Sequence, residues 1–185
     1  MQRIIRIVVM VIVLFLVFVN SRPSTFHVER SATIAAPADS LYPRIANFRA
    51  WHEWSPWEKI DPNMKREFAG SDGAVGSNYS WEGNKDVGSG RMTLADLQPS
   101  SKVGIKLEFL KPFKSTSNTT FMLAPDGAGT KVTWMMDGPM NFMSKFMCLF
   151  MSMDKMVGGD FEKGLGSLKQ LGEAAAAAPA TPAAQ

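Results

Sequence analysis

The stretch KVTWMMDGPMNFMSKFMCLFMSMDKMVGGDFEKGLGSLKQL, residues 131–171, changes its hydrophobic period part-way along. Before Gly138-Pro139 the apolar residues alternate with other residues, which is typical of a strand with one buried face. After that dipeptide the apolar residues recur every three or four positions, which predicts a helix of roughly 28 residues or two helices in tandem. The helical series is Phe142, Phe146, Leu149, Phe150, Met153, Val157, Phe161, Leu165, Leu168 and Leu171.

Segments with the alternation of β-strands precede this stretch along much of the chain. Residues 26–34 alternate, and residues 102–110 (KVGIKLEFL) place four apolar side chains on one face. Residues 118–136 predict two strands joined by a Pro-Asp-Gly turn, and shorter strands surround Tyr79 and Met92. We therefore predict an α+β fold, with an antiparallel sheet of about six or seven strands whose apolar face is covered by the long C-terminal helix.

Two short helices are predicted directly after the first strand. In the segment 37–48, Leu41, Ile45 and Phe48 fall at helical spacing, and Pro43 lies early enough in the helix to be tolerated. A second short helix is predicted around 47–54. Together with the sheet, these elements give the order strand, two helices, about six strands, long helix.

The first 22 residues predict a transmembrane signal anchor. From Ile7 to Val19 thirteen apolar residues follow one another, preceded by Arg3 and Arg6. The run is a little short for a membrane span, and a cleaved signal peptide is the alternative. The two arginines favour a single-pass protein with its N-terminus in the cytoplasm and its domain outside, which means the periplasm in a Gram-negative host.

The remaining chain divides into a domain at 23–173 and a tail at 174–185. The tail is rich in alanine, and Pro179 and Pro182 prevent a continued helix, so we predict that it is disordered. Without Arg3, Arg6 and Arg22, the 20 basic residues fall to 17, which equals the 17 acidic ones. No Lys/Arg cluster stands in the domain, so the sequence argues against nucleic-acid binding.

The usual signatures of metal and nucleophilic sites are missing from the sequence. His27 and His52 do not share a ligand cluster, and we expect neither a metal nor another cofactor. Cys148 lies in an apolar run, where a buried hydrophobe is the more common role than a nucleophile. Copper(I) binding by thioethers is a weaker alternative to packing for a methionine series at helical spacing, Met140, Met143, Met147 and Met151.

Polar residues in strands and loops are the candidates for acid–base catalysis. Each is more often a surface charge than a catalytic group. Arg30 and Arg91 rank above the others because each lies in a strand, and an inward arginine must meet a carboxylate of the protein or of a ligand. The other candidates are His52, Glu53, Glu58, Glu82 and Asp86.

Five stretches together resemble one superfamily. They are I34-A-A-P-A-D, W54-S-P-W, Y79-S-W-E-G-N-K-D-V-G-S-G-R-M, T130-K-V-T-W and G159-D-F-E-K-G-L-G-S-L-K. In this order and spacing, across residues 26–172, the chain resembles the START-like (helix-grip, SRPBCC) superfamily, in its bacterial polyketide cyclase/dehydrase branch. The resemblance implies a curved antiparallel sheet that grips the C-terminal helix, with an apolar cavity between them for lipids, sterols or polyketides.

The resemblance directs the function prediction towards a hydrophobic small molecule or lipid. We predict a membrane-anchored binding module, and the sequence favours this function over an enzyme. The alternatives are a polyketide cyclase-like enzyme acting in the same pocket and a non-catalytic interaction module, which would fill the pocket with its own side chains. The predicted ligand-binding residues are Trp54, Trp57, Tyr79, Trp81, Arg91, Phe109, Phe121, Trp134, Met136, Met143, Met147 and Phe150.

Two features of the helical region ask for an explanation. A helix around 146–153 would be apolar on every side. The core can cover one side, so the other must meet a ligand, a partner or the bilayer. We predict that this part is a soft lid over the pocket that contacts the membrane. Plain core packing is the alternative. Five glycines at 158–172 weaken the helix, and they either clear space for a ligand or the sheet, or mark a bend near Gly158-Gly159.

Overall fold

The computed structural model describes residues 1–177. Seven strands form one antiparallel sheet in the order β1-β7-β6-β5-β4-β3-β2, which confirms the predicted α+β class and strand number. Polar, five-residue β2 had not been predicted. The strands are β1 Thr25–Ile34, β2 Lys65–Ala69, β3 Asn78–Glu82, β4 Ser89–Gln98, β5 Lys102–Lys111, β6 Ser115–Asp126 and β7 Gly129–Pro139.

The helices confirm the tandem form of the C-terminal prediction. Residues 148–152 separate a short α4 from the long α5, and α5 runs through Gly158-Gly159 without a break. Two short 3-10 turns, Phe48–Ala50 and Pro56–Lys59, flank α3. The helices are α1 Gln2–Asn20, α2 Ala38–Ala46, α3 Trp51–Trp54, α4 Phe142–Met147 and α5 Met153–Ala177.

The core lies between the inner face of the sheet, α2, α3 and the part of α5 from Phe161 onward. Phe161, Leu165 and Leu168 of α5 are buried. The ring of Phe161 stacks on Trp134 of β7 with centroids 4.2 Å apart. Because aromatic side chains bury large apolar areas, this cluster supplies much of the force that holds α5 on the sheet.

Glycines let α5 approach the sheet closely. A Cβ on Gly164 would come within 2.8 Å of the Trp134 ring, and one on Gly172 within 2.6 Å of Leu41. By contrast, a Cβ on Gly159 or Gly166 would meet no atom within 4 Å. The first two glycines therefore make room for protein side chains, which answers part of the question that the sequence raised.

Arg30 of β1 ties the first turns of α5 to the sheet edge. Its guanidinium donates to both carboxylate oxygens of Asp154, at 2.7 and 3.0 Å, and to Glu162 at 2.6 Å. A Cβ on Gly158 would collide with that guanidinium. These hydrogen bonds lower the pKa of Asp154 and raise that of Arg30. The carboxylates that Arg30 was expected to meet thus come from the protein.

The strand register gathers several junctions at one end of the sheet, here called the α4 end. Thr25 pairs with Pro139, so β1 begins where β7 finishes. Ser115 pairs with Phe109, so the hairpin at 112–114 belongs to the same end. The helices α1 and α4 both join the sheet there, while the β6–β7 turn between Asp126 and Gly129 marks the opposite end.

The N-terminal helix α1 projects from the domain. It has 19 residues and a mean hydropathy of 2.5, so its length and composition fit either a membrane span or a signal sequence. Val19 is its one buried residue. Its last turns contact α4, where the rings of Phe15 and Phe146 meet edge to face at 6.2 Å.

The predicted tail begins in a helix. Residues 174–177 are the last turn of α5. Residues 178–185, with both of the prolines that motivated the prediction, lie outside the described part of the chain.

Candidate functional site

A cavity of about 340 Å³ lies between the inner face of the sheet, the turn at 55–58 and the first turns of α5. Its volume falls in the range of about 300–1,000 Å³ that is usual for small-molecule sites. Most of its wall is aromatic or aliphatic. The lining residues are Trp51, Ser55, Trp57, Glu58, Met64, Tyr79, Trp81, Val87, Met92, Leu107, Phe109, Lys111, Pro112, Phe113, Ser115, Thr119, Trp134, Met136, Met153, Met156, Val157 and Phe161.

Six of the twelve predicted site residues line this cavity: Trp57, Tyr79, Trp81, Phe109, Trp134 and Met136. Two others lie directly behind the wall. Trp54 and Phe121 are fully buried and contact Trp134, with ring centroids 5.6 and 4.7 Å from its own. They therefore support the shape of the wall and do not reach the cavity.

Arg91 lies on the opposite side of the sheet from the cavity. It stands in β4 between Gly90 and Met92, and Met92 faces the cavity, so alternation turns Arg91 towards solvent. There it donates to Glu108 of β5 at 3.0 Å. Arg91 had been ranked as a candidate because it lies in a strand. Alternation along the strand, however, decides which face of the sheet a side chain occupies.

The three predicted residues in α4 and the loop that follows it also lie outside the cavity wall. Met143 and Met147 belong to α4, and Phe150 follows it in the loop. All three are exposed, Phe150 to 79%. Two later methionines, Met153 and Met156, line the cavity from the start of α5.

Sequence reasoning missed several residues of the wall although the pattern contained them. Leu107 shares the inner face of its strand with Phe109, and Met92 pairs with Tyr79 of the neighbouring strand. Val157 and Phe161 are members of the helical apolar series. The turn residue Ser55 carried no comparable signal, because loops lack a period.

A polar cluster interrupts the apolar wall at Glu58. The Glu58 side chain is 8% exposed and accepts hydrogen bonds from Tyr79 Oη and from Arg66 Nε, each at 2.6 Å. Burial, and then the bond to Glu58, raises the pKa of Tyr79, so its hydroxyl stays protonated at neutral pH. The bond to Glu58 also raises the pKa of Arg66. Glu58 was one of the predicted acid–base candidates, and Tyr79 had been predicted as a ligand contact.

One buried donor of the cavity wall has no protein acceptor. Among residues 1–177, Trp134 Nε1 finds no hydrogen-bond partner. The residue is 2% exposed, and the opposite edge of its ring lies against Gly164. A buried N–H without an acceptor is costly, and this nitrogen is enclosed by protein, so the cavity does not reach it.

The other candidates lie elsewhere. His52 is exposed, Glu53 pairs with Arg44 at 2.8 Å, and Glu82 pairs with Lys111 at 3.1 Å. Asp86 lies in the turn between β3 and β4, outside the cavity wall.

Within residues 1–177 no three His, Cys, Asp or Glu side chains are grouped as metal ligands. Of the methionines considered for copper, Met140 directly follows β7, Met143 and Met147 lie in α4, and Met151 lies beyond it.

Residues 25–173 match the model of the family described as polyketide cyclase / dehydrase and lipid transport. The chain belongs to this family. No curated protein matches the sequence.

Solved structures share the fold of this chain. One from Chromobacterium violaceum is 17% identical, with a TM-score of 0.55 over 82% of this chain and 98% of that chain. One from Mesorhizobium loti is 19% identical, with a TM-score of 0.56 over 80% and 95%. The di-domain ARO/CYC StfQ of the steffimycin biosynthetic pathway is 12% identical, with a TM-score of 0.61 over 84% of this chain and 53% of StfQ. At these identities the likeness concerns the fold alone.

Proposed function

We propose that the protein is a membrane-anchored binding module for a hydrophobic small molecule or lipid. The observation that carries the proposal is the 340 Å³ cavity with a mostly apolar wall. Its predicted ligand contacts are Trp57, Tyr79, Trp81, Phe109, Trp134 and Met136. A cavity of this size also argues against an interaction module whose pocket is filled by its own side chains.

The residues of the cavity wall indicate which chemical groups the ligand has. Burial of each methylene group contributes about 0.8 kcal/mol, so an extended apolar body supplies most of the affinity. Glu58 and Tyr79 offer a polar contact to an oxygen of the ligand. An acyl chain or a polyketide-like molecule with few oxygens fits this description.

The anchor is proposed to be α1. Its apolar side chains are exposed except for Val19, which is the condition of a helix that meets lipid. Arg3 and Arg6 favour a cytoplasmic N-terminus and an outward domain. In a Cys148→Ser background, a membrane-impermeant maleimide should label Ala128→Cys in intact spheroplasts; labelling only in inverted vesicles would contradict this orientation.

Intrinsic fluorescence tests the binding proposal directly. Trp51, Trp57, Trp81 and Trp134 line the cavity, and α1 and α4 contain no tryptophan. We expect a fatty acid brominated in mid-chain to quench most of the emission of the full-length protein in nanodiscs, while the unbrominated acid does not. Affinity should rise by about fourfold per added methylene until the cavity is filled.

A cavity-filled variant provides the control. Leu107→Phe with Val157→Phe adds two rings to opposite parts of the wall, and the cavity itself has room for them. We expect this variant to lose the quenching while it keeps its unfolding midpoint within a few degrees. Equal quenching in both proteins would place the fatty acid in the bilayer or on the surface, and would contradict the proposal.

A cyclase-like activity is the second candidate function, favoured by the contact between Glu58 and Tyr79 in the wall. A carboxylate and a phenol within hydrogen-bond reach form an acid–base pair for proton transfer next to a ketone. However, Arg66 and Tyr79 already occupy the two oxygens of Glu58. Product analysis with a synthetic poly-β-ketone should show turnover that Tyr79→Phe abolishes; absence of turnover with retained binding would leave the binding module alone.

A further inference from the structure

Two exposed apolar side chains belong to the part of the cavity wall that meets solvent, and others lie in α4 and the loop that follows it. Phe113 and Met156 both line the cavity and are 67% and 44% exposed. Met156 lies at the start of α5, which directly follows the exposed loop at 148–152. We define the apolar rim as six exposed residues, Phe113, Met143, Met147, Phe150, Met151 and Met156.

The apolar rim lies at the same end of the domain as α1. The register of the sheet places the 112–114 hairpin, the start of β1 and the end of β7 at the α4 end. The chain enters from α1 and leaves into α4 at that end. A bilayer that contains α1 therefore faces the apolar rim and the cavity mouth together.

Contacts between α1 and α4 fix the depth of α4. Lys145 Nζ donates to the backbone oxygen of Asn20, the last residue of α1, at 2.9 Å. Phe146 packs on Phe15. Phe15 precedes Asn20 by five positions, which corresponds to about 7.5 Å along α1. Interfacial helices bury their apolar faces by about 5–10 Å, so Phe146 reaches that depth while Lys145 stays at the level of the head groups.

The rim composition agrees with this depth. Phe150 packs against Phe146 with centroids 5.6 Å apart, and its ring is otherwise exposed. Unbranched methionines adapt to an irregular surface such as lipid chains. Lys114 follows Pro112-Phe113, as a cation that can contact lipid head groups while the phenylalanine enters the chain region.

We infer that the apolar rim is a membrane-docking surface that seats the cavity mouth on the leaflet where α1 ends, so that the ligand is an amphiphile exchanged directly with that leaflet. This inference rests on the proposed function, because it assigns a source to the ligand of the same cavity. The occupant of the rim is the lipid bilayer; a second copy of the chain would be a different result of the test.

The docking is tested with two labelled positions in the full-length protein. Phe150→Cys and Ala128→Cys, each with Cys148→Ser, carry an NBD fluorophore at the rim and at the β6–β7 turn. In nanodiscs with nitroxide-labelled lipids we expect strong quenching at 150, greater for a shallow nitroxide than for a deep one, and none at 128. Aqueous iodide should quench the label at 128 and spare the label at 150.

Two other results would overturn the inference. If the label at 150 is quenched by iodide and not by the lipid nitroxide, the rim faces water. If neither quenches it, protein covers the rim, and a second copy is the occupant to examine by chemical crosslinking.

Ligand transfer separates this inference from the proposed function. Phe150→Gln with Met151→Gln changes two exposed side chains outside the cavity wall. We expect a brominated acid of eight carbons, added from water, to quench tryptophan as in the wild type, whereas transfer of a mid-chain brominated fatty acid from nanodisc lipid slows at least tenfold. Equal transfer rates would overturn the docking inference, while loss of all quenching in the wild type would refute the binding function itself.

Discussion

The earlier part of the segment 142–172 carries more apolar side chains than the later part, and the two parts present them to different surroundings. From Phe161 onward, leucine and phenylalanine face the sheet, and Gly164 and Gly172 let the helix approach it. Before Met156, methionine and phenylalanine are largely exposed. Hydrophobic content alone therefore does not identify the core of a protein. The later part is buried by the protein, and the earlier part is proposed to be buried by lipid.

The largest expected contrast is in stability. Leu168→Ala should lower the free energy of unfolding by about 2–5 kcal/mol, because it leaves a cavity in the packed half of α5. Met147→Ala removes an exposed side chain of α4 and should change it by less than about 0.5 kcal/mol in detergent. Urea unfolding, followed by tryptophan fluorescence, measures both. Similar losses for the two variants would mean that α4 is part of the core.

A pair of glycine substitutions sharpens the description of the packed half. Gly164→Ala should lower stability by about 1–3 kcal/mol, since the added methyl group displaces Trp134. Gly166→Ala meets no neighbour and should raise stability by up to about 1 kcal/mol through helix propensity. The same unfolding assay applies. A gain for both substitutions would show that α5 lies farther from the sheet than described.

The smallest expected effect is the pH dependence of the stability that the ion pair between Arg30 and Asp154 contributes near the start of α5. Because Arg30 lowers the pKa of Asp154, their interaction stabilises the fold fully above the unfolded pKa, near 4, and is lost as the pH falls through the lower folded value. The melting temperatures of wild type and Asp154→Asn should therefore differ at pH 6 and converge towards pH 2. Asp160→Asn, whose carboxylate pairs with Lys163, is the control. A gap that persists unchanged at pH 2 would contradict this origin.

Local periodicity was sufficient to predict most of the fold. Alternation identified the strands, and the change of period after Gly138-Pro139 identified the C-terminal helices. The break at 148–152 could not be predicted, because CLFMS contains neither proline nor glycine. The strand β2 was missed since KREFA is short and mostly polar.

The candidate site was predictable only where a residue's face followed from its strand. Phe109 and Trp134 share the inner faces of their strands with other apolar residues, and both line the cavity. The same parity would have excluded Arg91. The exposure of Met147 and Phe150 depends on how α4 turns away from the sheet, which is a tertiary property without a local signal.

We propose that the cavity, and not the exposed apolar side chains at residues 142–151, holds the ligand. The most direct measurement is lipid extraction and mass spectrometry of the full-length protein purified in detergent, beside the cavity-filled variant Leu107→Phe with Val157→Phe. We predict one class of apolar molecule near one per chain in the wild type and strongly depleted in the variant. The same complement of molecules in both proteins would contradict the claim.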